Sequence, residues 1–278
     1  MPKNTPLDTL IAPYRHARPA PRFALGRIDP SATPLGSGDK ELDRAAVEAL
    51  ALELDGLQDR LRADRRYKLL VVLQGVDTSG KDGTLRHVFG RMSPLGVHTV
   101  AWKAPTETER AHDPWWRIHH AVPAAGETVV FNRSHYEDVL VPVVQGTLSP
   151  RQTRERYRQI NDFERMLCEH GTVICKFMLH ISKDEQRERL QARLDDPDKR
   201  WKFDPADLQV RAQWDDYQRA YAAAIAATGT PWAPWIVVPA DSKTHRNLMI
   251  ARVLKHTLEK LRLRYPPGDP ALAGRRIA

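Results

Sequence analysis

The chain carries only two cysteines in 278 residues. Cys168 and Cys175 have neither zinc-ligand spacing nor a disulfide framework, so free thiols in a reducing, cytoplasmic setting are expected. The first residues, Met1-Pro2-Lys3-Asn4-Thr5-Pro6, lack an apolar core, and no secretory leader is expected. Long uncharged runs are scarce too. One stretch, Ala220 to Ala240, contains Gly229, Pro231, Pro234 and Pro239, which would break a spanning helix. A helix end, a turn and a buried strand are expected there, and no membrane partner. Internal repeats and sharp linkers are also missing, which excludes solenoids and strings of separate domains.

Positive charge is in excess: 43 Lys and Arg face 35 Asp and Glu, a net charge of +8. Such a balance points to an anionic partner. Nucleic acid, phosphorylated metabolites, inorganic polyphosphate and anionic membrane all fit, and composition does not choose among them.

Strands alternating with helices predict an α/β fold: a parallel five-stranded sheet with helices on both faces. A Pro-, Arg- and Gly-rich arm without periodicity covers residues 1–38 and is expected on the surface or partly disordered. Residues 39–264 form the main domain, and 265–278 a tail. From Asp39, Leu42, Ala46, Leu50, Leu54, Leu57 and Leu61 recur at helical spacing. Strands are expected at Leu69–Leu73, Val97–Trp102, Thr128–Phe131, Thr172–Leu179 and Trp235–Val238. Between them the pattern predicts single helices over Thr106–His120, Pro150–His170 and Pro205–Ala227. Ser182 with Glu185 three residues on reads as a capping box opening a charged helix, broken near Pro197.

The chemistry-bearing segment follows the first strand. Gly75-Val76-Asp77-Thr78-Ser79-Gly80-Lys81-Asp82-Gly83-Thr84 has P-loop spacing between a buried strand and a helix. Gly75, Gly80 and Gly83 let the backbone wrap a phosphate with N–H groups inward, and Lys81 supplies a mobile cation. Where Ser or Thr usually ligates magnesium, Asp82 stands instead. A second acid, Asp77, lies inside the loop. An acid among phosphate-binding amides is electrostatically awkward unless a metal ion or an accepting group uses its charge. Asp82 reads equally as a residue of the helix N-terminus.

The third strand ends in Phe131-Asn132-Arg133-Ser134-His135-Tyr136-Glu137-Asp138. Ligands of open α/β sheets bind beyond the carboxyl ends of the strands, so these side chains are expected to face the glycine loop. Arg133 suits a bidentate phosphate contact. Glu137 and Asp138 suit a metal ion or a ribose. Lys103 lies just beyond the second strand, within reach of a phosphate. Trp115 and Trp116 suit core packing ahead of stacking on an adenine, and His119 and His120, adjacent on a helix, point apart, so no metal site is expected there. The run Arg151, Arg154, Arg156, Arg158 with Glu155 and Glu164 reads as a solvated helix.

These segments, with Trp201-Lys202-Phe203, Thr230-Pro231-Trp232-Ala233-Pro234-Trp235 and Val238-Pro239-Ala240-Asp241, resemble the polyphosphate kinase 2 family from about Arg27 to Leu263. Members often carry Asp where Asn132 stands. The version with Asn resembles the subgroup that phosphorylates AMP and ADP from polyphosphate. The resemblance implies a thymidylate-kinase-like P-loop core with a helical lid at about 183–204. It implies Asp77, Lys81 and Arg133 as catalytic residues, and Asn132, Glu137 and Asp138 near the nucleotide. Asp77 and Glu137 are the metal candidates, for magnesium or manganese. Of the lid cations Arg187, Arg189, Arg193, Lys199 and Lys202, the phosphate contacts are expected from Arg193, Lys199 and Lys202, which flank the break at Pro197. Inorganic polyphosphate and adenine nucleotides are the expected partners, with self-association into a homo-oligomer and no stable nucleic-acid partner. An ATP-dependent nucleotide kinase of the same fold, or a nucleic-acid-binding P-loop protein, is the alternative. No aromatic-interleaved basic strand or DNA-reading helix supports the latter.

Overall fold

The computed structural model describes residues 5–270 and 274–277. Five strands are parallel: β2 (Lys68–Gln74), β3 (Val97–Ala101), β4 (Thr128–Asn132), β5 (Thr172–His180) and β6 (Trp235–Pro239). A sixth, β1 (Arg15–His16), comes from the arm and pairs antiparallel with β6. The order is β1-β6-β5-β2-β4-β3. The expected five-stranded parallel sheet therefore gains an antiparallel edge. Without β1, strand β6 would present a row of unpaired backbone groups, and the arm covers them. Gly229 permits this approach, since a methyl group there would sit 2.2 Å from His16 Cδ2.

From residue 5 onward the arm is not loose. Ile11, Leu25 and Leu35 are buried in the core, and Asp241 N donates to Pro30 O at 3.1 Å. The helices, in chain order, are α1 (Leu7–Ile11), α2 (Lys40–Asp64), α3 (Lys81–Thr84), α4 (Glu107–Ala111), α5 (Trp116–His119) and α6 (Glu137–Val144). They continue as α7 (Pro150–Glu169), α8 (Lys183–Asp195), α9 (Ala206–Ala212), α10 (Trp214–Thr228) and α11 (Lys243–Lys260). Helices α2 and α11 cover one face of the sheet; α6, α7 and α10 cover the other.

Asp39 caps α2, accepting from Glu41 N and Leu42 N, but the buried stripe differs from the leucine spacing. Val47, Ala51, Leu54, Leu57 and Leu61 face the core, while Leu42 is 63% exposed. The expected helix over Thr106–His120 is two short ones, because Asp113-Pro114 cannot continue the first. The expected helix over Pro205–Ala227 likewise divides at Gln213 into α9 and α10. Ser182 accepts from Glu185 N as the cap of α8, but the expected capping box does not close, because Ser182 N donates to Asp241 Oδ1 and the Glu185 carboxylate accepts from Arg189. Register brings Leu73 beside Asn132 and Phe177, so the carboxyl ends of the central strands open on one edge. No described helix is long and apolar enough to cross a membrane.

Candidate functional site

Beyond that edge lies a cleft of about 680 Å³. Its floor is the glycine loop. Gly75 has φ 150° and Gly80 φ 104°, values that side-chain-bearing residues rarely adopt, and Thr78 is drawn to φ 65°. Lys81 is buried, and its Nζ donates to Gly75 O at 2.8 Å and Val76 O at 3.2 Å. Burial and the neighbouring Arg133 charge lower its pKa to about 8. Thr78 Oγ1 and Ser79 Oγ are buried without a hydrogen-bond partner among the described residues. Hydroxyl donors of that kind suit phosphate oxygens.

Arg133, itself at φ 65°, bridges two carboxylates. One nitrogen donates to Asp77 and the other to Glu137 Oε2 at 3.2 Å. Burial pushes the Asp77 carboxyl up, but Arg133 and Lys81 outweigh it and hold the pKa below the usual range. Asp207, from α9, hydrogen-bonds to Asp77, and burial beside that charge raises its own pKa to about 6. Asn132 Nδ2 donates to Asp82 Oδ1 at 2.8 Å, tying the strand end to the start of α3.

The expected residues Asp77, Gly80, Lys81, Gly83, Lys103, Asn132, Arg133, Arg193, Lys199 and Lys202 all line the cleft. Gly75, Glu137 and Asp138 do not. Gly75 lies under the loop, where a methyl group would meet Leu179 O at 2.7 Å. Glu137 accepts from Gln74 Nε2 at 3.0 Å as well as from Arg133. Asp138 is turned to the buried Arg117, which donates to both its oxygens at 2.9 and 3.1 Å.

Of the two lid cations not expected at phosphate, Arg187 keeps to a solvated face and Arg189 does not. Arg187 pairs with Asp184 at the surface, 3.5 Å away. Arg189 is buried and acts as a strut: its guanidinium donates to Thr78 O, Ser79 O, Ala240 O and Asp241 O at 2.7 to 3.2 Å. It holds the glycine loop against the end of β6. Arg246 of α11 is a further loop support, since a methyl group on Gly80 would lie 1.8 Å from its Nη1. Arg246 and Asp207 escape sequence reading as site residues, and Arg189 is read there only as a lid cation, because each reaches the loop only through the tertiary fold. Glu164, expected on a solvated helix, is fully buried.

No group of three or more His, Cys, Asp or Glu is disposed to hold a metal among the described residues. Magnesium commonly takes one or two carboxylates and completes its shell with phosphate oxygens and water. Asp77, an oxygen donor on the cleft wall, fits that pattern. Glu137, enclosed by Gln74 and Arg133, fits it less well.

A strand, glycine loop and lysine at the carboxyl edge of a parallel sheet, overhung by a basic lid, define a P-loop kinase. Residues 37–265 match the family Polyphosphate kinase 2 (PPK2), and the chain belongs to it. It is 51% identical over 261 residues to the AMP/ADP-polyphosphate phosphotransferase of Meiothermus ruber, covering 93% of this chain and 96% of that one. The ADP-polyphosphate phosphotransferase of Rhodopseudomonas palustris is 41% identical over 83% of each chain. The crystal structure of polyphosphate kinase 2 from Arthrobacter aurescens TC1 superposes with a TM-score of 0.87 at 47% identity, over 89% of both chains.

Proposed function

We propose that this enzyme transfers the terminal phosphoryl group of inorganic polyphosphate to AMP and ADP. The observation that carries the reading is the cleft itself, where Lys81, Lys103, Arg133, Arg193, Lys199 and Lys202 surround a P-loop whose lysine is followed by Asp82. That density of cations suits a polyanionic donor longer than a nucleotide triphosphate. The names of the Meiothermus and Rhodopseudomonas relatives support polyphosphate as donor and AMP or ADP as acceptor.

Transfer is in line: a phosphate oxygen of the nucleotide attacks the terminal phosphorus as the anhydride P–O bond to the rest of the chain breaks. Little covalent chemistry is left to the protein, so positioning and charge neutralisation dominate. Lys81 and the loop amides hold the transferring group. Arg133 neutralises its equatorial oxygens, and Asn132 and Asp82 border the acceptor side. Arg193, Lys199 and Lys202 close over the donor chain. Asp77 orients Arg133 and, with phosphate oxygens, would hold magnesium or manganese, which supplies further neutralisation of phosphate charge. Both cysteines are free, in keeping with a cytoplasmic enzyme. Self-association into a homo-oligomer, without a stable nucleic-acid partner, completes the reading. AMP incubated with polyphosphate, magnesium and the protein should yield ADP and then ATP; AMP left unchanged would refute it.

A further inference from the structure

Behind the cleft, a fully buried lysine sits in the middle of the sheet. Lys176 pairs in register with Val72 and Trp235, and its side chain is wholly inaccessible. Its ammonium group has three acceptors: Glu164 Oε2 at 2.6 Å, Thr228 O at 2.8 Å and the Tyr136 hydroxyl at 2.9 Å. Glu164 Oε1 faces the same hydroxyl at 2.9 Å and His135 Nε2 at 3.3 Å. The Tyr136 hydroxyl also lies 3.0 Å from Thr228 Oγ1, which accepts from Trp235 Nε1 at 2.9 Å. Burial alone would raise the Glu164 pKa, but the Lys176 charge outweighs it and keeps the carboxylate ionised.

We propose that this buried network, through the Tyr136 hydroxyl, is a positioning device that sets Arg133 in the cleft. Lys176, Glu164 and Thr228 line no part of the cleft among the described residues, so any effect on transfer passes through the loop. A buried ion pair is generally no more stabilising than well-packed apolar residues of the same volume. Stability therefore does not account for a charged pair buried between β5 and α7. Location does. Tyr136 stands between Arg133 and Glu137, the two partners of the cleft-edge ion pair. The intervening turn is pinned by Arg133 N to Leu73 O at 3.0 Å and Glu137 N to Ser134 O at 2.9 Å. Arg133 holds φ 65°, a conformation that persists in a residue with a side chain only when its surroundings impose it. Anchoring the next-but-two residue in three elements at once, α7, β5 and α10, supplies that constraint.

The inference rests on the phosphate role assigned to Arg133 above. Four variants of the full chain test it: Tyr136→Phe, Arg133→Ala, those two combined, and the double Lys176→Met with Glu164→Leu. Melting temperatures and steady-state constants are measured for AMP with polyphosphate. Tyr136→Phe should fold, keep KM within about threefold and lose about tenfold in kcat, the scale of a displaced electrostatic group. The double variant should melt close to wild type and lose kcat similarly. Adding Tyr136→Phe to Arg133→Ala should lower kcat no further, because the hydroxyl acts only through that arginine. Wild-type kcat in Tyr136→Phe, or an additive loss in the combined variant, would overturn the proposal whether or not the double variant folds. Wild-type kcat in Arg133→Ala would instead overturn the phosphate role itself, and this inference with it.

Discussion

Arg246 lies against Gly80 so closely that a methyl group on the glycine would fall 1.8 Å from its Nη1. The guanidinium also donates to Asn247 Oδ1 at 3.0 and 3.2 Å, which fixes it in place. Gly80 is thus required twice, for its φ of 104° and for this approach. Gly80→Ala should cost about 1–3 kcal/mol in stability and reduce turnover at least about 100-fold. Thermal melts and initial rates on one preparation check both, and a stable, active variant would contradict the assigned loop geometry.

Lys81 links stability to activity with opposite signs. Its folded pKa of about 8 lies below the ordinary lysine value, so the stability it contributes is present only at high pH and is lost as pH falls through about 8. At pH 7 the buried charge is a burden on the empty enzyme. Lys81→Met should melt at or above the wild-type temperature at pH 7 while turnover falls at least about 100-fold. In the wild type, kcat/KM should decline above about pH 8 as the free enzyme loses this proton, with kcat less affected because bound phosphate retains it. A flat kcat/KM profile between pH 7 and pH 9.5 would contradict the assignment.

Lid charges should act through solvent. Lys199 pairs with Asp196 while remaining 60% exposed, and Lys202 lies 5.1 Å over the Trp201 ring. Replacing both lysines by Ala should leave the melting temperature unchanged and raise KM for polyphosphate, several-fold near physiological salt. The gap between variant and wild type should narrow as salt screens the interactions. A KM equal to wild type at all ionic strengths would return the segment to a solvated surface.

Local signals made part of this site legible and tertiary ones hid the rest. Strand β2 runs straight into the glycine loop, so Gly75, Gly80 and Lys81 could be placed from spacing alone. Asn132, Arg133 and Lys103 followed from the rule that ligands gather at strand carboxyl ends. Strand β1 was not legible, because Arg15 and His16 carry no pattern and pair only where β6 leaves an edge. The roles of Glu164 and Arg189 were misjudged for one reason: on a charged helix the residue turned inward looks like its solvated neighbours. Asp138 seemed poised for a ligand until Arg117, from α5, claimed both its oxygens.

Asp77 binds these observations together, since its carboxylate hydrogen-bonds to Arg133 and Asp207 and lies in the field of Lys81. Its pKa is depressed, so it contributes stability above the ordinary carboxylate range that is lost as pH falls through the folded value. Asp77→Asn should therefore lower stability by about 1 kcal/mol at pH 7, with a smaller difference in acid. Turnover should drop about 100-fold because Arg133 loses one of its two carboxylates. Activity within threefold of wild type would remove Asp77 from the catalytic account.

The most direct test compares donors. With AMP as acceptor and magnesium present, initial rates are measured for polyphosphate and for ATP at equal phosphoanhydride concentration. Asp82 following Lys81 and the cationic cleft walls predict that polyphosphate outperforms ATP by at least about tenfold, a difference of about 1.4 kcal/mol in transition-state stabilisation. Equal or faster transfer from ATP would contradict the account and make the protein an ATP-dependent nucleotide kinase.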